Sequence, residues 1–112
     1  MQIVSKQVKD VLVLVLNESR LDANVALSFK EAFEQLISEG QNTIAIDMGK
    51  VGFMDSSGLG AVVNCLKKIA PNGKLVLFSI TPPVANMFKL TRMDRVFNLY
   101  NNEEEALQAF EI

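Results

Sequence analysis

The feature that most constrains the fold of this chain is an alternation of short apolar runs with longer segments of helical periodicity. Two apolar runs, at residues 2–8 and 11–17, flank a polar Lys-Asp pair and predict a β-hairpin. Three further runs, at 42–48, 74–80 and 96–100, are separated by amphipathic segments that predict helices. Strands joined through helices need crossover connections, which favour parallel pairing. The predicted order is therefore ββαβαβαβα, and the predicted fold class is α/β, with a small mixed β-sheet of four to five strands and flanking α-helices.

Capping residues and helix breakers indicate where the predicted helices begin and end. Asp22 or Asn24 can cap the first helix, because their side-chain oxygens accept hydrogen bonds from the free N–H groups at a helix start. Gly40 can end that helix, since glycine readily adopts the left-handed conformation found there. The other predicted helices lie at 57–70, after a loop at 49–55, at 82–91 with Thr81 as N-cap, and within 101–110.

The size and charge of the chain exclude several classes of function. Its 112 residues suit a single domain, predicted to span 1–112. A net charge of −2 gives no sign of the basic face that nucleic acid binding needs. The longest unbroken apolar run, 11–16, is far shorter than the ~20 residues of a membrane span, and no signal-peptide segment opens the sequence. With a single cysteine, Cys65, these features predict a cytoplasmic protein that binds neither nucleic acid nor a membrane.

The sequence contains no histidine, which narrows the chemistry open to it. Ser-His-Asp and Cys-His catalysis and histidine metal ligation are all excluded. Asp22, Asp47 and Asp55 could meet at one edge of the sheet as a magnesium site, but three scattered aspartates are a weak signal. We therefore predict that the chain is not an enzyme and that it holds no metal and no cofactor.

The stretch "FMDSSGLGAV", residues 53–62, is the most distinctive local motif. Serines beside glycines are typical of a nucleophile, a phosphate-binding loop or a helix cap. A Walker A loop is excluded because no lysine follows the glycines, and a dinucleotide fingerprint because Val63 stands where glycine or alanine is needed. A nucleophile elbow is excluded because Met54 stands where that motif needs glycine, and no histidine can act as its base.

A helix start is the simplest interpretation of the motif. Aspartate and serine are preferred N-caps, but a cap explains only one of Asp55, Ser56 and Ser57. Gly58 and Gly60 would then lie in the first turns of a helix, where each glycine costs about 1 kcal/mol relative to alanine. Two such glycines would leave the first turn bare and let another protein's backbone come close. A plain cap and a contact site therefore both stay open.

The segment "VGFMDSSGLGAV" and the sequence around it resemble the STAS domain family, and specifically the bacterial anti-sigma factor antagonists. The resemblance extends over residues 21–33, 44–69 and 74–107. It implies that the unphosphorylated chain binds an anti-sigma factor or a related histidine-kinase-like serine kinase, which phosphorylates it, and that a PP2C-type phosphatase reverses the modification. The family often has glycine where this chain has Ser19 and Arg92, and these departures could alter the choice of partner.

The resemblance also implies roles for individual residues of the motif. Ser56 corresponds to the phosphoacceptor, Ser57 to a residue that shapes its site, and Asp55 to the acidic neighbour. Asp22 matches an aspartate near the interaction face of the family. The alternative within the same fold is a non-switched adaptor, like the STAS subunits of lipid-transport ATPases, in which Ser56 would be only a cap and a contact residue.

The helix that follows the motif separates an apolar face from a polar face. The apolar positions recur at helical spacing and are predicted to pack on the sheet: Leu59, Val62, Val63, Leu66 and Ile69. The polar positions continue from Ser56 and are predicted to contact the partner, although a plain solvated face would look the same: Gly60, Asn64, Lys67 and Lys68. The predicted partner-binding surface and phosphosite environment comprise Asp22, Asp55, Ser57, Gly58, Leu59, Gly60, Asn64 and Lys67.

Overall fold

An antiparallel hairpin followed by three parallel strands forms the central sheet. The structure is a computed structural model that describes residues 2–111. In chain order its elements are β1 (Ile3–Val8), β2 (Val11–Leu16), β3 (Arg20–Leu21), α1 (Ala23–Ser38), β4 (Thr43–Asp47), β5 (Phe53–Met54), α2 (Ser56–Ile69), β6 (Lys74–Phe78), α3 (Pro82–Leu90), a 3₁₀ turn (Met93–Arg95), β7 (Asn98–Tyr100) and α4 (Glu103–Gln108). The sheet order is β1-β2-β4-β6-β7, and β1 alone of these five strands runs antiparallel to its neighbour. The predicted small mixed sheet with flanking helices is confirmed, and it has five strands.

Alternation along the strands divides the core into two layers. In β2, Leu12 and Leu14 belong to one layer and Val11 and Val13 to the other, and all four side chains are buried. Residues of α1, α2 and α3 complete the leucine layer, whereas α4 covers the valine layer. Because β2 is buried on both faces, its sequence is a continuous apolar run, as expected of an interior strand.

A second, two-stranded sheet lies outside the main one, and the sequence pattern does not predict it. In this sheet β3 and β5 pair in parallel, with Arg20 opposite Phe53 and Leu21 opposite Met54. The prediction of a loop over 49–55 is therefore wrong at residues 53–54, which form the strand β5. Strands of two residues are too short to show the alternation by which strands are recognised. Each of them ends directly before a helix, so the small sheet sets the starts of α1 and α2 side by side.

Aspartate side chains cap both of these helices. Asp22 Oδ1 accepts a hydrogen bond from the Asn24 N–H at 3.0 Å, so Asp22 rather than Asn24 is the N-cap of α1. Asp55 Oδ1 accepts a hydrogen bond from the Gly58 N–H at 3.0 Å and caps α2. As a result α2 begins at Ser56, one residue earlier than predicted, and Ser56 is the first helical residue rather than the cap.

In the last third of the chain α3 begins at Pro82 as predicted, but its cap and the start of the last strand differ from the prediction. Thr81 precedes α3, but its side chain makes no capping hydrogen bond. Its hydroxyl instead donates to the Val51 carbonyl oxygen at 2.7 Å and ties the start of α3 to the loop before β5. The strand predicted at 96–100 begins only at Asn98, because the chain first passes through the 3₁₀ turn.

The buried face of α2 differs in part from the predicted apolar stripe. Val63 and Leu66 are half-buried rather than buried. The helix packs on α1 as well as on the sheet, and a face that meets a second helix closely needs small residues more than large apolar ones. The residues buried along α2 are Gly58, Leu59, Ala61, Val62, Cys65 and Ile69.

The buried thiol of Cys65 gives the stability of the fold a pH dependence. Burial raises the pKa of Cys65 far above its ordinary range, and the nearby Glu34 carboxylate adds to the rise. In the unfolded chain the thiol ionises near pH 8.5, so above about that pH the unfolded state has released a proton that the folded state keeps. Above that pH we expect the ionisation of Cys65 to lower the free energy of unfolding by about 1.4 kcal/mol per pH unit. At lower pH the thiol is protonated in both states, so it gives the stability no pH dependence there.

Urea unfolding of the wild type and of Cys65→Ala between about pH 8 and pH 10 measures this contribution, because that range begins just below the ordinary thiol pKa and extends above it. The variant is expected to be less stable throughout but to lose stability less steeply as the pH rises. Equal slopes in the two proteins would show that the thiol ionises as readily in the folded chain as in the unfolded one.

Candidate functional site

The candidate site lies where α1 and α2 begin next to each other. The pairing of Leu21 with Met54 brings the two N-caps, Asp22 and Asp55, to the same end of the small sheet. Both carboxylates are half-buried, and Asp22 also pairs with Arg20, whose Nε lies 3.1 Å from its Oδ2. Both aspartates therefore stabilise the start of a helix, and this fixes the positions of the first residues of α1 and α2.

Ser56 occupies the first position of α2 and is exposed to solvent. Its hydroxyl makes no hydrogen bond to any residue within 2–111, so it is free to react or to contact another molecule. Ser57 is exposed beside it. The N-terminus of α2 adds free backbone N–H groups and the positive end of the helix dipole at this position.

Gly58 does not have the role expected from the sequence. A Cβ placed on it would lie 1.9 Å from the Leu21 carbonyl oxygen and 2.8 Å from the Leu21 carbonyl carbon. The group that approaches its backbone is thus the chain's own β3, and the expectation that Gly58 leaves the first turn bare is wrong. Leu59 is also buried, with 8% of its surface exposed, so it can offer a partner only its edge.

Two shallow grooves meet at Ser56. The first, of about 440 Å³, lies between α1 and α2 and is lined by Ala23, Ala26, Leu27, Lys30, Ser56, Ser57, Gly60 and Ala61. The second, of about 510 Å³, is lined by Lys30, Ser56, Leu59, Gly60, Val63, Asn64, Lys67 and Met93. Lys30, Ser56 and Gly60 border both grooves and form the centre of the candidate site.

The polar face of α2 is arranged largely as its spacing predicts. Gly60 is exposed, and a Cβ placed on it would meet no neighbouring atom within 4 Å. Asn64 and Lys67 line the second groove, whereas Lys68 is exposed but lines neither groove. The Asn64 Nδ2 atom is buried and has no hydrogen-bond partner within the part of the chain that the structure describes. A buried donor without an acceptor costs about 1–3 kcal/mol.

Sequence reasoning missed the contribution of α1 to this site. Leu27, with 64% of its surface exposed, and the half-buried Lys30 line the first groove opposite Ser56. Ala23, Leu27 and Lys30 follow the helical repeat and therefore share one face of α1. The sequence pattern alone does not show that this face lies next to α2. Close by in the small sheet, the Arg20 guanidinium lies 4.1 Å from the ring centroid of Phe53, which is itself 40% exposed.

The two departures from the family pattern lie outside the grooves. Ser19 is exposed, and its carbonyl oxygen accepts a hydrogen bond from the Gly52 N–H at 2.8 Å. Arg92 has φ 61 and ψ 19, a left-handed conformation that glycine adopts without strain and arginine does not. The glycine that similar proteins often have at this position therefore suits the backbone, and arginine costs about 1 kcal/mol there.

Over residues 2–111, the structure contains no helix long and apolar enough to cross a membrane. Within the same range no three histidine, cysteine, aspartate or glutamate side chains are grouped as a metal site would require. Asp47, considered above as a ligand, instead accepts a hydrogen bond from the Gly49 N–H at 2.8 Å. At the candidate site itself the structure shows an exposed serine, the two grooves and the charged side chains around them.

Comparison with known proteins agrees with this architecture. The STAS domain family model matches residues 2–106. The chain is 33% identical to the "Putative anti-sigma factor antagonist" of Thermotoga maritima over 104 residues, 92% of each protein. It is 31% identical to the anti-sigma-B factor antagonist of Listeria monocytogenes over 86 residues, 76% of this chain and 75% of that one.

A solved structure shows the same fold. The protein in this crystal structure is a "putative anti-sigma factor antagonist" from Thermotoga maritima, and its sequence is 30% identical to this chain. The two structures superpose with a TM-score of 0.91, over 98% of this chain and 95% of that one. The five-stranded mixed sheet, the exposed serine at the start of α2 and these matches lead to one conclusion. The chain belongs to the STAS domain family.

Proposed function

We propose that this protein is an anti-sigma factor antagonist, a binding module switched by phosphorylation of Ser56. The unphosphorylated chain binds an anti-sigma factor or a related histidine-kinase-like serine kinase. That kinase transfers the γ-phosphoryl group of ATP to Ser56 Oγ, and a PP2C-type phosphatase removes it by hydrolysis. The observation that carries the proposal is the exposed, unbonded hydroxyl of Ser56 at the point where two grooves meet.

The position of Ser56 allows the fold to survive phosphorylation. A phosphoserine brings a charge of about −1.5 to −2 near neutral pH. At the start of α2 this charge would face free N–H groups and the positive end of the helix dipole, both of which favour anions. Because Ser56 is exposed and caps nothing, the added group displaces no buried contact.

A partner docked over Ser56 would not tolerate the same group. A surface that fits a small neutral hydroxyl has neither the space nor the compensating charges for a phosphate, so binding would leave that charge desolvated. The neighbouring carboxylate of Asp55 already gives this end of α2 a negative charge, to which the phosphate would add. Unmodified and phosphorylated chains should therefore differ strongly in affinity.

Gly60 offers a test of the contact surface that does not disturb the fold. Gly60→Ala should raise the free energy of unfolding by up to about 1 kcal/mol, because alanine favours the helix and its Cβ meets no neighbour within 4 Å. The same methyl group would stand in both grooves beside Ser56. We therefore expect a more stable protein that binds its partner at least about tenfold more weakly, a loss of about 1.4 kcal/mol in binding.

The partner for this test is isolated with the unmodified wild-type chain as bait and identified by mass spectrometry, and affinities are then measured by calorimetry. Lys68→Ala serves as the control, because Lys68 lies on the same helix but lines neither groove. Recovery of a kinase-like regulator supports the proposal, whereas recovery of transporter subunits alone would identify the chain as an adaptor. Undiminished binding by Gly60→Ala would place the contact surface elsewhere.

A further inference from the structure

Lys30 is the cation that borders both grooves at Ser56. It extends from α1, and its side chain is half-buried between the two helices. Within residues 2–111 it forms neither a salt bridge nor a side-chain hydrogen bond, unlike Lys6 and Arg20, which are paired with carboxylates. A half-buried lysine that has no counter-ion among the described residues thus lines the same two grooves as the proposed phosphoacceptor.

The arrangement of two adjacent helices sets the direction in which the Lys30 side chain leaves α1. Side chains on a helix tilt towards its N-terminus, and the N-termini of α1 and α2 lie side by side at the ends of β3 and β5. The Cα–Cβ bond of Lys30 therefore points towards the end of the groove that holds Ser56. Gly60, one turn below Ser56, leaves that path open, because even a Cβ there would touch nothing within 4 Å.

Other cations near the site are less suitable. Lys67 lines the second groove, but it lies 11 residues after Ser56 along α2, which corresponds to about 16 Å. The Arg20 side chain is engaged by Asp22 and by the ring of Phe53. Glu34, one turn beyond Lys30, could compete for its ammonium, but lysine followed by glutamate is the weaker order for such a pair.

We propose that Lys30 is the internal counter-ion of phosphorylated Ser56: its ammonium group binds the phosphate and holds it against the first turn of α2. This inference rests on the proposed phosphorylation of Ser56. In the unmodified chain, Lys30 has no such anion to bind and its side chain only lines the grooves. After phosphorylation it would draw the phosphate into the groove that the partner must enter, so that the modification blocks docking by position as well as by charge.

The protonation of the phosphate reports this contact directly. The second pKa of a phosphoserine lies near 6, and a cation in contact favours the dianion and lowers it. A chain with phosphoserine incorporated at position 56 during translation is titrated by ³¹P NMR, so that no kinase is required. We expect Lys30→Gln to raise the phosphate pKa by roughly half a unit or more relative to the wild type, and Lys30→Arg to restore most of the difference.

Lys68→Gln is the matched control, since it removes one lysine charge from a residue that lines neither groove. Lys68 lies 12 residues beyond Ser56, about 18 Å along α2, where salt screens most of its effect. The pKa of the phosphate in Lys68→Gln should therefore match that in the wild type. Equal values for Lys30→Gln and the wild type, or an equal shift in Lys68→Gln, would overturn the proposal.

Because the phosphate is installed without a kinase, these outcomes are separate from the proposed function. Failure of the cognate kinase to modify Ser56 would count against the switch, and would leave the measured contact with Lys30 unchanged. Circular dichroism of each variant confirms that the helices are intact before the titrations are compared.

Discussion

Gly58→Ala is expected to destabilise the protein by about 3 kcal/mol or more, a large part of the ~5–15 kcal/mol that stabilises a typical domain. Helix propensity alone predicts the opposite, since alanine is favoured over glycine by about 1 kcal/mol. The difference arises because the new Cβ would lie 1.9 Å from the Leu21 carbonyl oxygen, a backbone atom that no side-chain rotation can move. Relief of the clash requires α2 to shift away from β3.

Urea unfolding of Gly58→Ala and Gly60→Ala, two residues apart on α2, measures this effect with the same chemical change. We expect a marked loss of stability in the first variant and a small gain in the second. A Gly58→Ala protein as stable as the wild type would mean that the start of α2 does not pack on β3 as the structure shows.

A negative charge at position 56 should weaken partner binding strongly, whereas loss of the Ser56 hydroxyl alone should not, and neither change should disturb the fold by much. Ser56→Ala keeps a small neutral surface and is expected to bind as the wild type does, with at most a few tenths of a kcal/mol lost in stability, because Asp55 is the cap. Ser56→Asp should weaken binding about tenfold or more, about 1.4 kcal/mol, but less than phosphorylation, since one carboxylate carries less charge than a phosphate. Calorimetric titration of each variant with the isolated partner provides the measurement.

Ser57→Asp is the neighbouring control for position, because Ser57 is exposed beside Ser56 and lines only the first groove. A larger loss of binding in Ser57→Asp than in Ser56→Asp would show that the second serine, not the first, occupies the centre of the interface.

The parts of this molecule that could be predicted are those that local sequence determines. The apolar runs at β2 and β4 and the helical periodicity of α1 predict the α/β sheet. They do so because the spacing of apolar residues within a single segment is enough to distinguish a buried strand from a helix. The polar face of α2, from Gly60 to Lys67, follows from the helical repeat in the same way. The caps of α1 and α2 were predictable in kind, because aspartate is a preferred N-cap residue, although the pattern alone does not distinguish Asp55 from the two serines that follow it.

The remainder depends on which elements become neighbours. Gly58 reads as an open position until β3 is known to lie against it, and β3 is too short to show a pattern of its own. Lys30 reads as an ordinary helix lysine until α1 is known to lie beside α2, with both helices starting at the small sheet. In each case the information lies in a contact between segments more than twenty residues apart, and the periodicity of either segment alone does not contain it.

The central claim is that Ser56 is the residue through which phosphorylation controls binding. The most direct test incubates the wild type and Ser56→Ala with the isolated kinase partner and ATP, and then reads intact mass and partner capture on the same samples. We expect that the wild type gains one phosphate and loses its partner, whereas Ser56→Ala gains none and stays bound. Phosphate on Ser57 alone, or capture of phosphorylated wild type as tight as that of the unmodified chain, would contradict it.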